Sequence, residues 1–150
     1  MDLSETSRSL LPSAAELGIP IWTDVHDYDG GSEFHGPFVR AASYVFLNAD
    51  GMSDPLPFMR ERVEAGARVV VCTLGADGAM AFDADGLHRV EAVAADVRDT
   101  NGAGDAFLSG FLHATLSGAS TAAALTSAAS QAGVALQTKH LHPLLEVILP

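Results

Sequence analysis

Apolar residues recur along the chain with two different periods, and the switches between them mark out the elements. Leu10, Leu11, Ala14, Ala15 and Leu17 fall at helical intervals between residues 4 and 17. Pro12 there starts or kinks a turn, and Gly18 closes the helix. "IPIWTDV" reads as a strand, "HDYDGGSEFHG" as a polar loop, "PFVRAA" as a short helix and "SYVFLN" as a second strand. Aromatic and β-branched residues suit that pleated surface. "DPLPFMRERVEAGA" has an Asp to cap a helix, prolines near its start, Phe58, Met59 and Val63 along one side, and Gly66 at its stop. "RVVVCTL" is a continuous apolar run, the pattern of a strand covered on both faces. "GADG" turns the chain, and "AMAFDADGLHRVEAV" predicts a hairpin closed at Asp85-Gly86. From Ala103 to Leu116, Phe107, Leu108, Phe111, Leu112 and Leu116 form a helical stripe; "TAAALTSAASQAGVAL" follows as a second helix capped by Ser120.

Alternating helices and strands as far as residue 74 predict an α/β fold: a mostly parallel sheet flanked by helices, with right-handed crossovers, ending in a hairpin and two packed helices. A chain of 150 residues has the usual size of one domain, and residues 1–150 are expected to form one. No repeat, linker or low-complexity segment interrupts it.

Composition narrows the function. No apolar run reaches the roughly 18 residues that a membrane span requires, so no membrane partner is expected. The first 20 residues lack the basic start and unbroken apolar centre of a secretory signal, which predicts a cytoplasmic location. The single cysteine, Cys72, sits in an apolar run without a basic partner and reads as a small buried hydrophobe. Nineteen acids against eight bases give a net charge of −11, a field that repels nucleic acid. A small anion is a different matter, because backbone N–H groups act at contact range.

One stretch concentrates that chemistry. In "RDTNGAGDAFLSGF", residues 98 to 111, two glycines and an aspartate lie where a turn becomes a helix. A helix start leaves backbone N–H groups without partners and carries about half a positive charge. Gly102 and Gly104 lack the side chains that would keep an anion away. Asp105 is stabilised by the dipole yet would repel the same anion, a conflict resolved if its carboxylate accepts a hydroxyl proton while the amides hold a migrating phosphoryl group. The stretch is neither a Walker loop, since no G-x-x-x-x-G-K-[ST] occurs, nor a dinucleotide fingerprint, since Phe107 stands in place of the third glycine. Elsewhere, His26 and His35 among Asp24, Asp27 and Asp29 match no zinc spacing and read as a solvated loop, and His88, His113, His140 and His142 as surface residues. Arg60, Glu61, Arg62 and Glu64 read as a solvated face with i to i+4 pairing. Ser109 lacks a G-x-S-x-G elbow, so a hydrolase has no support.

"DTNGAGDAFLSGF" closely resembles the carboxy-terminal signature of the ribokinase/PfkB family of carbohydrate and nucleoside kinases, D-T-x-G-A-G-D, and "VVVCTLGADGAMAF" resembles its strand followed by T-x-G-x-x-G. The resemblance implies a ribokinase-like fold and ATP-dependent phosphoryl transfer to a hydroxyl of a sugar, nucleoside or similar small molecule. It implies Asp105 as catalytic base, the amides of Gly102, Ala103 and Gly104 as anion hole, and Thr73, Gly75 and Gly78 bordering ATP. Asn48 corresponds to the Asn of the N-x-x-E motif that organises Mg2+. Asp99 corresponds to a position that in many members helps to bind a monovalent cation such as K+, and Ala129 to Gly133 fall where the adenine pocket is built.

This chain also departs from the pattern. "LNADGM" puts Gly51 in the Glu place of N-x-x-E, with Asp50 beside it as a substitute. "DVHDYD" keeps Asp24 of D-P-N-x-R but has His26 for Asn and Tyr28 for Arg. The resemblance covers only the carboxy-terminal, nucleotide-binding half of a family member, without the amino-terminal half and lid. It therefore leaves two readings: a kinase, or a non-catalytic nucleotide-binding or assembly remnant of one. A sheet cut in this way exposes apolar faces and an edge, from which a homo-oligomer, a dimer, is expected.

Overall fold

The computed structural model describes residues 1–139, so the readings of His140 and His142 lie outside it. The elements are α1 (Glu5–Glu16), β1 (Trp22–Asp24), α2 (Gly36–Ala41), β2 (Tyr44–Asn48), α3 (Leu56–Glu64), β3 (Val69–Thr73), β4 (Ala79–Asp83), β5 (Gly86–Val90), α4 (Ala103–Leu116) and α5 (Thr121–Leu136). Short 3-10 turns occupy Ala49–Gly51 and Gly75–Asp77. The strands form one sheet in the order β1-β2-β3-β4-β5, and β1, β2 and β3 are parallel. The fold is therefore α/β, with a mixed sheet flanked by helices. The hairpin turns at Ala84-Asp85, one residue earlier than expected. The Asp83 carboxylate accepts the Asp85 amide at 2.9 Å, and Gly86 already belongs to β5.

The described residues group into two compact units, one of Met1–Leu74 with Ala81–Leu87, the other of Gly75–Met80 with the chain from His88 onward. In the first, Tyr44–Leu47 and Val69–Cys72 are buried without alternation, as strands sandwiched between layers must be. Val25, Phe38, Val45, Met59, Val70 and Val71 are wholly enclosed. Ser4 caps α1 by accepting the Ser7 amide at 3.1 Å, and the Asp54 carboxylate accepts the Leu56 amide at 3.2 Å at the start of α3. Trp22 stacks on Tyr44 across β1 and β2, ring centroids 3.7 Å apart.

Two expectations for this unit change. The stripe of α1 is narrower than its sequence spacing: Leu11 is buried where the helix meets α2, while Leu10 and Leu17 are 52% and 74% exposed. The charged face of α3 is not laced by i to i+4 pairs either. The Arg60 guanidinium lies 5.7 Å from the Phe82 ring centroid, and the half-buried Arg62 reaches its neighbour Glu61 at 3.7 Å.

The second unit is dominated by the pair α4 and α5. Phe107, Phe111, Ala114, Ala124, Leu125 and Ala128 form its core, and Ser120 caps α5 through the Ala123 amide at 3.4 Å. Leu116, expected on the buried stripe, is 76% exposed in the last turn of α4. The helices approach closely at Gly110, where a Cβ would lie 2.9 Å from Gln131 Cβ and 3.1 Å from Ala128 Cα. Residues 91 to 97 have no regular structure. Their continuation is anchored on α5, whose Leu136 carbonyl accepts the amides of Arg98 at 2.8 Å and Asp99 at 3.4 Å.

Two consequences follow for stability. Replacing a helical glycine by a larger residue gains about 1 kcal/mol of propensity at most, but Gly110→Val forces three atoms into backbone already in contact. It is expected to destabilise the chain by about 2 kcal/mol, read as a lowered urea midpoint by circular dichroism. Burial, followed by the charge of Asp50, pushes the Cys72 thiol from 9.0 up to about 11. A raised acid pKa means that the native state keeps a proton which the unfolded chain loses. The resulting stability is complete below pH 9 and lost as pH rises toward about 11. A Cys72→Ala chain is expected to lose less stability across that window; equal losses in both chains would refute the linkage.

Candidate active site

In the first unit, the candidate residues gather at the carboxyl ends of parallel strands, the usual ligand-binding side of an open α/β sheet. Asn48 and Thr73 are register partners at the ends of β2 and β3, both half-buried. The Asn48 amide donates to the His26 carbonyl at 2.8 Å, which brings the loop after β1 alongside. His26 adopts φ +52 and its amide donates to the Asp24 carboxylate at 2.8 Å. No local pattern in the sequence marks that conformation, which few non-glycine residues adopt, although histidine is among those enriched in it.

The Asn48 side chain has a structural task. Its Oδ1 accepts the Asp50 amide at 3.0 Å and caps the 3-10 turn Ala49–Gly51. Gly51, in the Glu place of the motif, has no room for any side chain. A Cβ there would collide with the Asp27 carbonyl and stand 2.6 Å from the Tyr28 carbonyl oxygen. Asp50, one residue earlier, is exposed, and its charge reaches the Cys72 thiol. Farther along the first loop, the Asp29 carboxylate accepts the amides of Gly31 at 2.9 Å and Ser32 at 3.0 Å, and these bonds hold its pKa below the usual range. Asp29 is thus a turn-former, in keeping with the loop reading.

In the second unit, the two glycines of the T-x-G-x-x-G stretch differ. Gly75 opens the 3-10 turn with nothing within 4 Å of its missing side chain. Gly78, at φ +88, donates its amide to the Gly75 carbonyl at 3.2 Å and lies against the end of β5. A Cβ on Gly78 would collide with the Val90 carbonyl and stand 2.8 Å from the Ala92 nitrogen. Packing therefore accounts for Gly78 without a ligand, and the left-handed backbone of Gly75, φ +60, accounts for a glycine there although the space beside it is open.

The turn into α4 is held by its own backbone. The Asp99 carboxylate accepts the Asn101 amide at 3.0 Å, and the Ala103 amide donates to the Thr100 carbonyl at 3.3 Å. Gly102 is the N-cap of α4 in the left-handed conformation, φ +73 and ψ +3, which glycine adopts without strain. Its carbonyl takes the Ala106 amide at 2.8 Å as the first bond of the helix. Of the three amides expected to form an anion hole, that of Ala103 is engaged by the chain. Those of Gly102 and Gly104 have no acceptor among the described residues. A Cβ on Gly104 would meet nothing within 4 Å.

Asp105 is exposed in the first turn of this 14-residue helix, and its carboxylate has no hydrogen bond or ion pair among the described residues. Asp99 is half-buried. Among the described residues no group of three His, Cys, Asp or Glu side chains is placed to hold a metal ion. Of the segment Ala129 to Gly133 on α5, Gly133 is buried, and a Cβ there would lie 3.1 Å from Val93 Cβ.

Residues 48–146 match the model of the pfkB family of carbohydrate kinases. The chain is 41% identical over 108 residues to the acarbose 7(IV)-phosphotransferase of an Actinoplanes strain, a match covering 69% of this chain and 36% of that one. Its structure resembles the microbiome-derived acarbose kinase Mak1 with a TM-score of 0.83 and 28% identity, covering 94% of this chain and 49% of that one. It also resembles the aminoimidazole riboside kinase of Salmonella enterica complexed with aminoimidazole riboside and an ATP analogue: TM-score 0.72, 28% identity, 90% of this chain and 52% of that one. The chain thus spans about a third of the length of the curated relative and about half that of the solved structures. With a mixed α/β sheet flanked by helices, a glycine-led helix start carrying an exposed aspartate, and a family match over most of the chain, this protein is a member of the pfkB family of carbohydrate kinases.

Proposed function

We propose that the chain carries the nucleotide-binding and proton-abstracting part of an ATP-dependent phosphotransferase acting on a hydroxyl of a sugar, nucleoside or similar small molecule. The observation that carries this reading is the helix start at residues 102–105: two unclaimed amides, an open space over Gly104 and an exposed carboxylate within one turn. In the proposed reaction the Asp105 carboxylate takes the proton of the acceptor hydroxyl. The acceptor oxygen bonds to the terminal phosphorus of ATP, the bond to the bridging oxygen breaks, and ADP leaves. The Gly102 and Gly104 amides offset charge on the migrating group. Gly75 lies open for the other phosphates, with Thr73 at the end of β3 before it.

Mg2+, when bound, neutralises phosphate charge, and it commonly needs only one or two carboxylates beside the phosphates. Position 51 offers none, and Asp50 beside it is the exposed carboxylate of that turn. Asp99, its carboxylate occupied by the Asn101 amide, is proposed to lend its neighbourhood to a monovalent cation such as K+. A cytoplasmic location and a homo-oligomer belong to the same reading. The exposed Leu10, Leu17 and Ile19 supply apolar surface for self-association. Sedimentation at micromolar concentration tests this, and a purely monomeric boundary would end it.

A second reading has a specific observation in its favour. Gly51 stands in the Glu place of N-x-x-E and has no room for a side chain, which favours a non-catalytic nucleotide-binding or assembly remnant. Nucleotide binding with no acceptor-dependent ADP release, over a panel of sugars and nucleosides, selects this alternative.

The catalytic reading makes a paired prediction. Asp105→Asn is expected to keep ATP binding while lowering turnover by about a hundredfold or more, since it removes only the proton acceptor. Gly104→Leu places a side chain in space that the fold leaves empty. It is expected to keep the unfolding midpoint and to abolish ATP-dependent thermal stabilisation. An Asp105→Asn chain with unchanged turnover would refute the assignment of the base.

A further inference from the structure

We propose that Asn101 is a site of spontaneous deamidation, in which the Gly102 backbone nitrogen closes on the Asn101 side chain and leaves a carboxylate at the mouth of α4. The chain has two asparagines, and their settings differ in every respect that governs this reaction. Asn48 precedes Ala49, is half-buried at the end of β2, and has its Oδ1 held by the Asp50 amide at 3.0 Å. Asn101 precedes a glycine, is exposed in a turn, and has no side-chain hydrogen bond among the described residues.

The attacking group is prepared by the fold. The Gly102 amide has no acceptor among the described residues, and no Cβ shields its nitrogen. Gly102 is also the N-cap of a 14-residue helix, where the positive end of the dipole favours loss of the amide proton. The Asp99 carboxylate holds the Asn101 amide at 3.0 Å, fixing the turn from behind without engaging the side chain.

The step balances without an oxidant or reductant. Gly102 N bonds to Asn101 Cγ, the Cγ–Nδ2 bond breaks, and the departing nitrogen takes up the Gly102 proton and leaves as ammonia. The five-membered imide then adds water. Opening on one side gives aspartate; opening on the other gives isoaspartate, with one extra carbon in the main chain. Either product puts a negative charge directly before the amides of Gly102 and Gly104. The chemistry is independent of any activity. Its consequence, weakened binding of a phosphate group, rests on the phosphoryl-transfer reading above.

Ageing the native chain in mildly alkaline buffer, followed by peptide mapping with isoaspartate detection, tests the proposal. Modification is expected at Asn101 at least about tenfold faster than at Asn48, and absent at that position in Asn101→Gln. An intact Asn101, or a native rate more than about tenfold below that of the urea-unfolded chain, would overturn it. ATP titration of the same samples is expected to show affinity lost on ageing in the wild-type chain and retained in Asn101→Gln. Modification with undiminished ATP affinity would overturn the stated consequence. Fresh chain that binds no ATP would count against the phosphoryl-transfer reading instead, with the peptide map still deciding the chemistry.

Discussion

The arrangement at the start of α4 depends on one backbone fact: Gly102 can take φ +73 and so end a turn and begin a helix at the same residue. A residue with a Cβ would resist that conformation, and the turn would have to open before the helix began. Because it does not open, the Asp99 carboxylate takes the Asn101 amide and the Thr100 carbonyl the Ala103 amide, while the Gly102 and Gly104 amides have no acceptor among the described residues. The exposed Asp105 follows within the same turn. The deamidation proposed at Asn101 draws on the same Gly102 nitrogen, which has no acceptor among the described residues.

The glycines of the two motifs divide by what surrounds them. Gly78, Gly51 and Gly110 are glycines because main chain or a neighbouring helix fills the space that a side chain would need. Gly75 borders empty space but takes φ +60, which explains a glycine there, whereas Gly104 borders empty space without a left-handed backbone, so neither packing nor conformation explains it. This distinction weakens Gly78 as a phosphate contact and strengthens Gly104. At Gly51 the carbonyls of Asp27 and Tyr28 occupy the place a longer side chain would cross, which moves the available carboxylate to Asp50.

A net charge of −11 and an anion site are compatible because they act at different ranges. Exposed charges more than about 10 Å away are screened by salt, whereas an amide in contact with a phosphate is not. The long-range field therefore discourages polyanions without opposing, at contact range, the small anion proposed at the helix start. Asp105 lies on the boundary of these effects, stabilised by the helix it begins and adverse to a phosphate unless it is doing proton chemistry.

Much of this was legible in the residues themselves. The continuous apolar run at Val69–Cys72, the Ser120 cap and the helix from Ala103 emerged because periodicity and capping are local properties. Asp105 and its glycines are candidates by type and spacing alone. Which glycines packing closes in was invisible, because Val90, Glu91 and Ala92 lie a strand away from Gly78, and Asp27 lies across a loop from Gly51. The exposure of Leu10, Leu17 and Leu116 was hidden for the same reason: a helical stripe has a direction but no information on where its neighbour ends. The sequence by itself determined the elements, the motif and the family resemblance, since each is written in residues near one another. Only the tertiary structure decided which backbone groups the fold consumes and which it leaves available, because that depends on contacts between distant segments.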